Sequence, residues 1–111
     1  MKNDGIYLEH ILEAIKSIKA YTKDAKIDDF VKNEMMREAV IRKLEIIGEA
    51  ARNISAGTKA KIKEIEWPAV AGMRNRLIHE YFDVNFDLVW ETVKKDLPKL
   101  RKAIRQYLKA K

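Results

Sequence analysis

The stretch that decides the fold runs from Lys32 to Ser55 and reads KNEMMREAVIRKLEIIGEAARNIS. Apolar side chains recur in it at steps of three and four residues, the spacing that places them on one face of an α-helix. The stripe consists of Met36, Val40, Leu44, Ile47, Ala51 and Ile54, and it is widened by Ala39, Ile46 and Ala50. A stripe this wide predicts a long helix that packs against two neighbours.

Upstream, a second stripe predicts a helix that begins with Asp4 as its N-cap and ends near Lys23. Its members are Leu8, Ile11, Leu12, Ile15 and Ile18. The segment 24–30 between the two helices is expected to be a connector with a short helical turn. Downstream, Gly57 stands where a left-handed helix stop belongs, and the segment 59–65 reads as a weak helix or a turn.

A third helix is expected to start at Trp67-Pro68, because proline suits the first helical turn. It should run to about Tyr81 and end at a connector, with Asn85 or Asp87 capping the next helix. The final apolar pattern consists of Leu88, Val89, Thr92, Val93, Leu97, Leu100, Ile104 and Leu108.

Proline at position 98 interrupts this last pattern. It predicts a kink or a break near 96–97, because proline removes a helical hydrogen bond. The four main amphipathic helices together predict an all-α fold, an antiparallel helical bundle. Residues 1–111 are expected to form a single domain with a basic C-terminal segment, 98–111.

Composition excludes several classes of protein. With four Gly and two Pro, the chain lacks the turns of a many-stranded barrel or sandwich. The absence of Cys excludes disulfides, a thiolate nucleophile and Cys-ligated zinc. The sequence contains no uncharged run of about 18 apolar residues, so it predicts no membrane span. The N-terminus has no apolar signal core. We therefore expect a cytoplasmic protein without membrane association.

The net charge of +6 is concentrated in one half of the chain. Residues 1–57 hold ten basic and ten acidic side chains, whereas residues 58–111 hold thirteen and seven. The segment 98–111 has no acid and carries Lys99, Arg101, Lys102, Arg105, Lys109 and Lys111. Such a segment attracts a phosphate backbone. Cations also suit a helix C-terminus and favour solubility, so both interpretations stay open.

His79 is the most promising candidate for chemistry. The chain's other histidine, His10, occupies an ordinary surface or boundary position on the first predicted helix. Asn75 lies one helical turn before His79 and can hold its imidazole in one tautomer. Taken alone, a helical histidine of this kind is more often structural than catalytic.

Two arginines belong to the same helix. Arg74 lies about 140° around an ideal helix from His79, so a second subunit packed across the helix would be needed to complete a site. Arg76 faces His79 better but has Glu80 as an i,i+4 partner. The sequence does not predict a zinc site, because its two histidines are distant from each other and it has no cysteine.

The full string Arg74-Asn75-Arg76-Leu77-Ile78-His79-Glu80-Tyr81 matches the pattern R-x4-H-x-Y. It resembles the signature of the HEPN superfamily and, within it, of the HepT-like toxin branch. The likeness covers nearly the whole chain, because that branch is similar in length, begins with a long helix pair and opens its motif helix with Trp-Pro. The segment 45–51 also resembles the family's second long helix.

This resemblance implies a metal-independent endoribonuclease toxin that needs no cofactor and acts as a homodimer with two facing motif helices. Arg74 and His79 would be the catalytic residues at the RNA phosphate, supported by Asn75, Arg76 and Tyr81. The chemistry is consistent with this, because RNA carries its own nucleophile, the 2′-hydroxyl group.

The family also implies a partner, a cognate minimal nucleotidyltransferase antitoxin that attaches AMP to Tyr81. The alternative for Tyr81 is an aromatic side chain packed against Phe82 or Trp90. We expect Trp67, Phe86 and Trp90 to lie in the core rather than to stack on bases.

Two other functions fit the same residues. The first is a non-catalytic nucleotide-binding or adaptor subunit of a two-component nucleotidyltransferase, since Arg and His also bind phosphates without cleaving them. The second is a plain helical interaction module in which the motif is accidental.

Overall fold

The computed structural model describes residues 3–73, 75 and 85–110. Within those ranges every regular element is helical, which confirms the all-α bundle. The elements are α1 (Asp4–Tyr21), α2 (Ile27–Lys32), α3 (Glu34–Arg52), α4 (Ala56–Lys61), α5 (Trp67–Ala71), α6 (Phe86–Glu91), a π-helical turn (Thr92–Asp96) and α7 (Leu97–Ala110). The long helices in the described ranges are α1, α3 and α7, and most of the motif helix expected from the sequence lies outside these ranges.

The core forms where α1 packs against α3. Helix α3 also contacts α2 and α5, so the widened stripe of the Lys32–Ser55 stretch correctly predicts more than one neighbour. Most residues of both long stripes are buried, Leu12, Met36, Ala39 and Ile46 being half-buried, and each buried Leu or Ile contributes roughly 1.5–3 kcal/mol. The largest fully buried side chains are Phe30, Leu8, Ile11, Ile18, Leu44, Ile47, Ile62, Ile104 and Val40.

Helix α1 is capped by Asn3, so the prediction that Asp4 is the N-cap is wrong. The Asn3 side chain accepts a hydrogen bond from the Ile6 amide. The Asp4 carboxylate instead accepts bonds from the Ser55 amide at 3.0 Å, the Ser55 hydroxyl at 2.6 Å and the Thr58 hydroxyl at 2.5 Å. One carboxylate thereby ties the start of α1 to the start of α4.

We expect Asp4→Ala to lower the free energy of unfolding by about 1–3 kcal/mol, because three half-buried donors lose their acceptor. Chemical denaturation measures the change. Glu9→Ala is the matched control, since it removes the same charge from an exposed position on the same helix. Equal stability of the Asp4 variant and wild type would show that water replaces the carboxylate without loss.

Gly57 is not a helix stop, so the prediction that a left-handed residue ends the second long helix there is wrong. Helix α3 ends at Arg52 with Asn53 in right-handed helical geometry as its C-cap. Ser55 then begins α4, because its hydroxyl accepts a hydrogen bond from the Thr58 amide at 3.3 Å. Gly57 lies inside α4, and no glycine in the described ranges has a positive φ.

The irregularity expected near Pro98 is a π-helical turn. Leu97 lies directly before the proline, and its backbone amide donates to the carbonyl of Thr92, five residues earlier. Proline has no amide to donate, so a local change of helical register at this point has a physical cause. Of the two predicted caps, Asn85 and Asp87, Asn85 caps α6 by accepting from the Leu88 amide at 3.2 Å.

Leu88 was expected to belong to the buried stripe, but it is 47% exposed. Its neighbour Val89 is buried. Adjacent helical residues lie about 100° apart, so the two side chains cannot share one narrow face, and α6 buries Val89.

Candidate functional site

The helix that leads into the motif is anchored at its start by Trp67. The Trp67 side chain is buried, and its indole Nε1 donates a hydrogen bond to the Ile62 carbonyl at 3.1 Å. Pro68 follows within the first turn of α5, where its missing amide costs nothing. The Trp-Pro pair therefore fixes both the position and the direction in which the chain enters the motif.

Helix α5 ends in a tight turn just before the motif. Gly72 is its C-cap, and the Gly72 amide donates to the Pro68 carbonyl at 2.9 Å. A Cβ on Gly72 would lie 3.1 Å from that carbonyl oxygen, so a larger residue would press on the turn. The buried side chain of Met73 comes next and immediately precedes Arg74.

Of the predicted site residues, the structure describes Asn75, which has helical backbone and is exposed. Arg74, Arg76, His79 and Tyr81 lie outside the described residues. The predicted continuous helix from Pro68 is interrupted, because α5 ends at Ala71 with Gly72 as its C-cap. The course of the chain from Arg74 to Tyr81 and the angles between those side chains are still predictions.

The chain after the motif is anchored by aromatic packing. Phe30 of α2 meets Phe86 edge to face, with ring centroids 6.3 Å apart, and lies 5.2 Å from Trp90. The Arg37 guanidinium stacks over Phe86 at 4.7 Å, and the Lys94 ammonium lies 4.7 Å above Trp90. The side chains of Trp67, Phe86 and Trp90 pack in or against the core, as expected.

A groove of about 630 Å³ opens beside the residues that lead into the motif. One wall is formed by α5 and the residues on either side of it, and the other by the π-helical turn and α7. The lining residues are Glu64, Ile65, Glu66, Ala69, Val70, Met73, Thr92, Asp96, Leu97, Lys99, Leu100, Lys102, Ala103 and Gln106.

The groove is lined by both apolar and charged residues. Val70, Leu97 and Leu100 are among the apolar lining residues, Glu66 lies on one wall, and Lys102 lies on the other. Sequence reasoning missed this groove because its walls are about 20 residues or more apart in the chain. Two features of the sequence that belong to one wall of the groove are the basic segment 98–111 and the irregularity before Pro98.

The described part of the chain contains no group of three His, Asp or Glu side chains arranged to hold a metal ion. His10 is exposed on α1 and meets the Tyr7 ring edge to face at 6.1 Å. None of the helices in the described ranges is long and apolar enough to cross a membrane.

Comparison with known proteins gives a consistent result. A family model described as ribonuclease HepT-like matches residues 11–107. A candidate RNase of Caldanaerobacter subterraneus subsp. tengcongensis is 42% identical over 97% of this chain and 96% of its own length. A "probable ribonuclease HepT" of Thermococcus cleftensis is 46% identical over 86% of each chain.

A candidate RNase of Methanocaldococcus jannaschii is 43% identical over 88% of this chain and 90% of its own length. No solved structure gives a significant match.

Proposed function

The chain belongs to the HepT-like ribonuclease family, which makes it an endoribonuclease, and we propose that it cleaves RNA without a metal ion, as the homodimeric toxin of a toxin–antitoxin pair. The observation that carries the proposal is the motif itself. The family match over residues 11–107 includes it, and Arg74, His79 and Tyr81 all stand at the motif positions.

The proposed reaction is an internal transesterification. The 2′-oxygen of the RNA attacks the adjacent phosphorus and its proton passes to a base, while the bond from phosphorus to the 5′-oxygen breaks and that oxygen gains a proton. His79 is suited to move these protons because the pKa of a free imidazole lies near neutrality. Arg74 is suited to balance the negative charge that builds on the phosphate.

A dimer supplies what one motif helix lacks. On an ideal helix Arg74 and His79 point about 140° apart, so two facing helices would bring an arginine of one copy near a histidine of the other. Two copies of His79 would also provide a base and an acid for the two proton transfers. Light scattering should give a dimer at the concentration where RNA is cleaved, and a monomer there would contradict this part of the proposal.

The direct test is cleavage in the presence of EDTA. We expect RNA to be cut at an undiminished rate and to carry 2′,3′-cyclic phosphate or 3′-phosphate ends, because the nucleophile belongs to the RNA and not to a metal-bound water. Mass spectrometry of the fragments identifies the ends. If EDTA abolishes cleavage and magnesium restores it, the proposed mechanism is wrong.

The partner follows from the same family. We propose a cognate minimal nucleotidyltransferase antitoxin that silences the ribonuclease by attaching AMP to Tyr81, in the cytoplasm where both would be made. One described feature supports this: Asn85 caps α6 only four residues after Tyr81 in the sequence. The motif helix is expected to end near Tyr81, and a partner enzyme can reach a hydroxyl group at a helix end.

A further inference from the structure

Four cations of α7 share one face, which we name the basic face. They are Arg101, Lys102, Arg105 and Lys109. At 100° per residue they fall within an arc of about 100°. The last three are exposed and Arg101 is half-buried, whereas the opposite side of the helix carries the buried Leu97, Leu100, Ala103 and Ile104.

The basic face keeps its charge. No Asp or Glu occurs from Leu97 to the last residue of the chain. In the described part of the chain, ion pairs join Arg42 to Glu45 and Lys95 to Glu91, and neither pair involves α7. Helix α7 itself therefore presents a net positive charge to an anionic partner.

The basic face adjoins the groove beside the motif. Lys102 belongs to both, because it lines the groove together with Met73, the residue immediately before Arg74. Lys99 lines the same wall. The groove is also lined by the acidic residues Glu64, Glu66 and Asp96, whereas α7 carries none, so an anionic chain that leaves the groove along α7 meets only cations on that helix.

The polarity of α7 favours a nucleic-acid backbone over an amphipathic partner. The large exposed apolar side chains of the described residues are Ile6, Tyr21, Val31, Met35 and Leu88, and none of them lies on α7. A membrane surface or a partner helix would require apolar contact in addition to charge. A sugar–phosphate backbone requires cations at regular intervals, and Arg101, Arg105 and Lys109 recur at about one helical turn.

We infer that the basic face of α7 binds the RNA backbone beyond the scissile phosphate and so holds the strand that flanks the cleavage site. This inference rests on the proposed ribonuclease function. It assigns α7 a positioning role that is independent of sequence, because phosphate contacts fix register and affinity but do not read bases. The natural substrate must then be long enough to reach from the motif to α7.

The test is a fourfold variant, Arg101→Gln, Lys102→Gln, Arg105→Gln and Lys109→Gln, in a His79→Ala background that does not cleave. Glutamine is a good helix former, so α7 should persist, and circular dichroism checks this. The probe is an unstructured single-stranded RNA oligonucleotide, with Kd measured over a series of salt concentrations. We expect at least tenfold weaker binding at physiological salt and a fall of about 3 in the slope of log Kd against log salt, since each phosphate contact contributes roughly 0.7.

The matched control removes four exposed cations from the other half of the chain: Lys16, Lys19, Lys23 and Lys26, each to Gln. Its salt slope should stay close to that of the parent. An equal loss in both variants would show that binding follows net charge alone, which overturns the inference. Unchanged RNA binding together with lost association with the nucleotidyltransferase would assign the face to a protein partner and overturn it as well.

A cleavage assay separates this inference from the function on which it rests. With His79 intact, the fourfold variant should cleave a dinucleotide as wild type does, because that substrate is too short to reach α7. It should cleave long RNA with a raised KM. If wild type cleaves neither substrate, the proposed function fails, and the binding measurements alone decide whether α7 binds RNA.

Discussion

Replacing His79 with Ala should abolish RNA cleavage, with a loss of at least about a thousandfold. Positioned acid–base groups typically contribute 10²–10⁴-fold, and His79 would serve both proton transfers through its two copies in the dimer. Initial rates on a labelled RNA measure the effect. Arg74→Ala should lose at least about a hundredfold, because the charge on the phosphate in the transition state would be unmatched.

His10→Ala is the matched control for this experiment. His10 is exposed on α1 and contacts the Tyr7 ring, so its loss should leave cleavage unchanged. Arg76→Ala should cost less than Arg74→Ala if Arg76 mainly pairs with Glu80. Thermal melts verify that each variant is folded. Full cleavage by a folded His79→Ala protein would remove this residue from the mechanism and favour a phosphate-binding subunit without catalysis.

Burial was the most predictable property of the fold. The α1 and α3 stripes follow from side-chain period, because a helix that packs on one side must repeat its apolar residues at that period. Asn85 as a cap was equally accessible, since the cap bond to Leu88 spans three residues. Local sequence contains the information that such local interactions need.

Long-range interactions could not be predicted in this way. Asp4 looked like an N-cap because it is a good capping residue, yet its carboxylate bonds Ser55, 51 positions away. Gly57 looked like a helix stop, but Ser55 restarts a helix two residues before it. The groove beside the motif likewise depends on α5 meeting the π-helical turn and α7. At Asp4 a tertiary contact overrode a local preference, whereas at Gly57 a nearby cap residue, Ser55, started a helix before the glycine.

The identity of the site came from a pattern and its setting together. His79 alone would be judged structural, and Arg74 points away from it on an ideal helix. The R-x4-H-x-Y string became more specific because Trp67-Pro68 precedes it. In the structure the indole of Trp67 is buried and the pair starts α5. The groove and the proposed RNA-binding role of the basic face involve further residues that lie outside this motif.

Adding AMP to Tyr81 should switch the ribonuclease off. In this step the phenol oxygen attacks the α-phosphorus of ATP, the bond to pyrophosphate breaks and the phenol proton is lost. The modified side chain would place bulk and negative charge close to Arg74, where the RNA phosphate must bind. Blockage and repulsion then act together without refolding.

Co-expression with the cognate nucleotidyltransferase should therefore add AMP to a peptide that contains Tyr81 and reduce cleavage to background, as mass spectrometry and the RNA assay can measure. Tyr81→Phe should remain unmodified and active in the presence of the partner, because it lacks the attacking hydroxyl group. Tyr21→Phe is the matched control: Tyr21 is 40% exposed near the end of α1, so its loss should leave modification and inhibition intact. Full inhibition with an unmodified Tyr81 would instead mean that the bound partner covers the site. In that case Tyr81→Phe would be inhibited as strongly as wild type, which makes the two modes of silencing distinguishable with one variant.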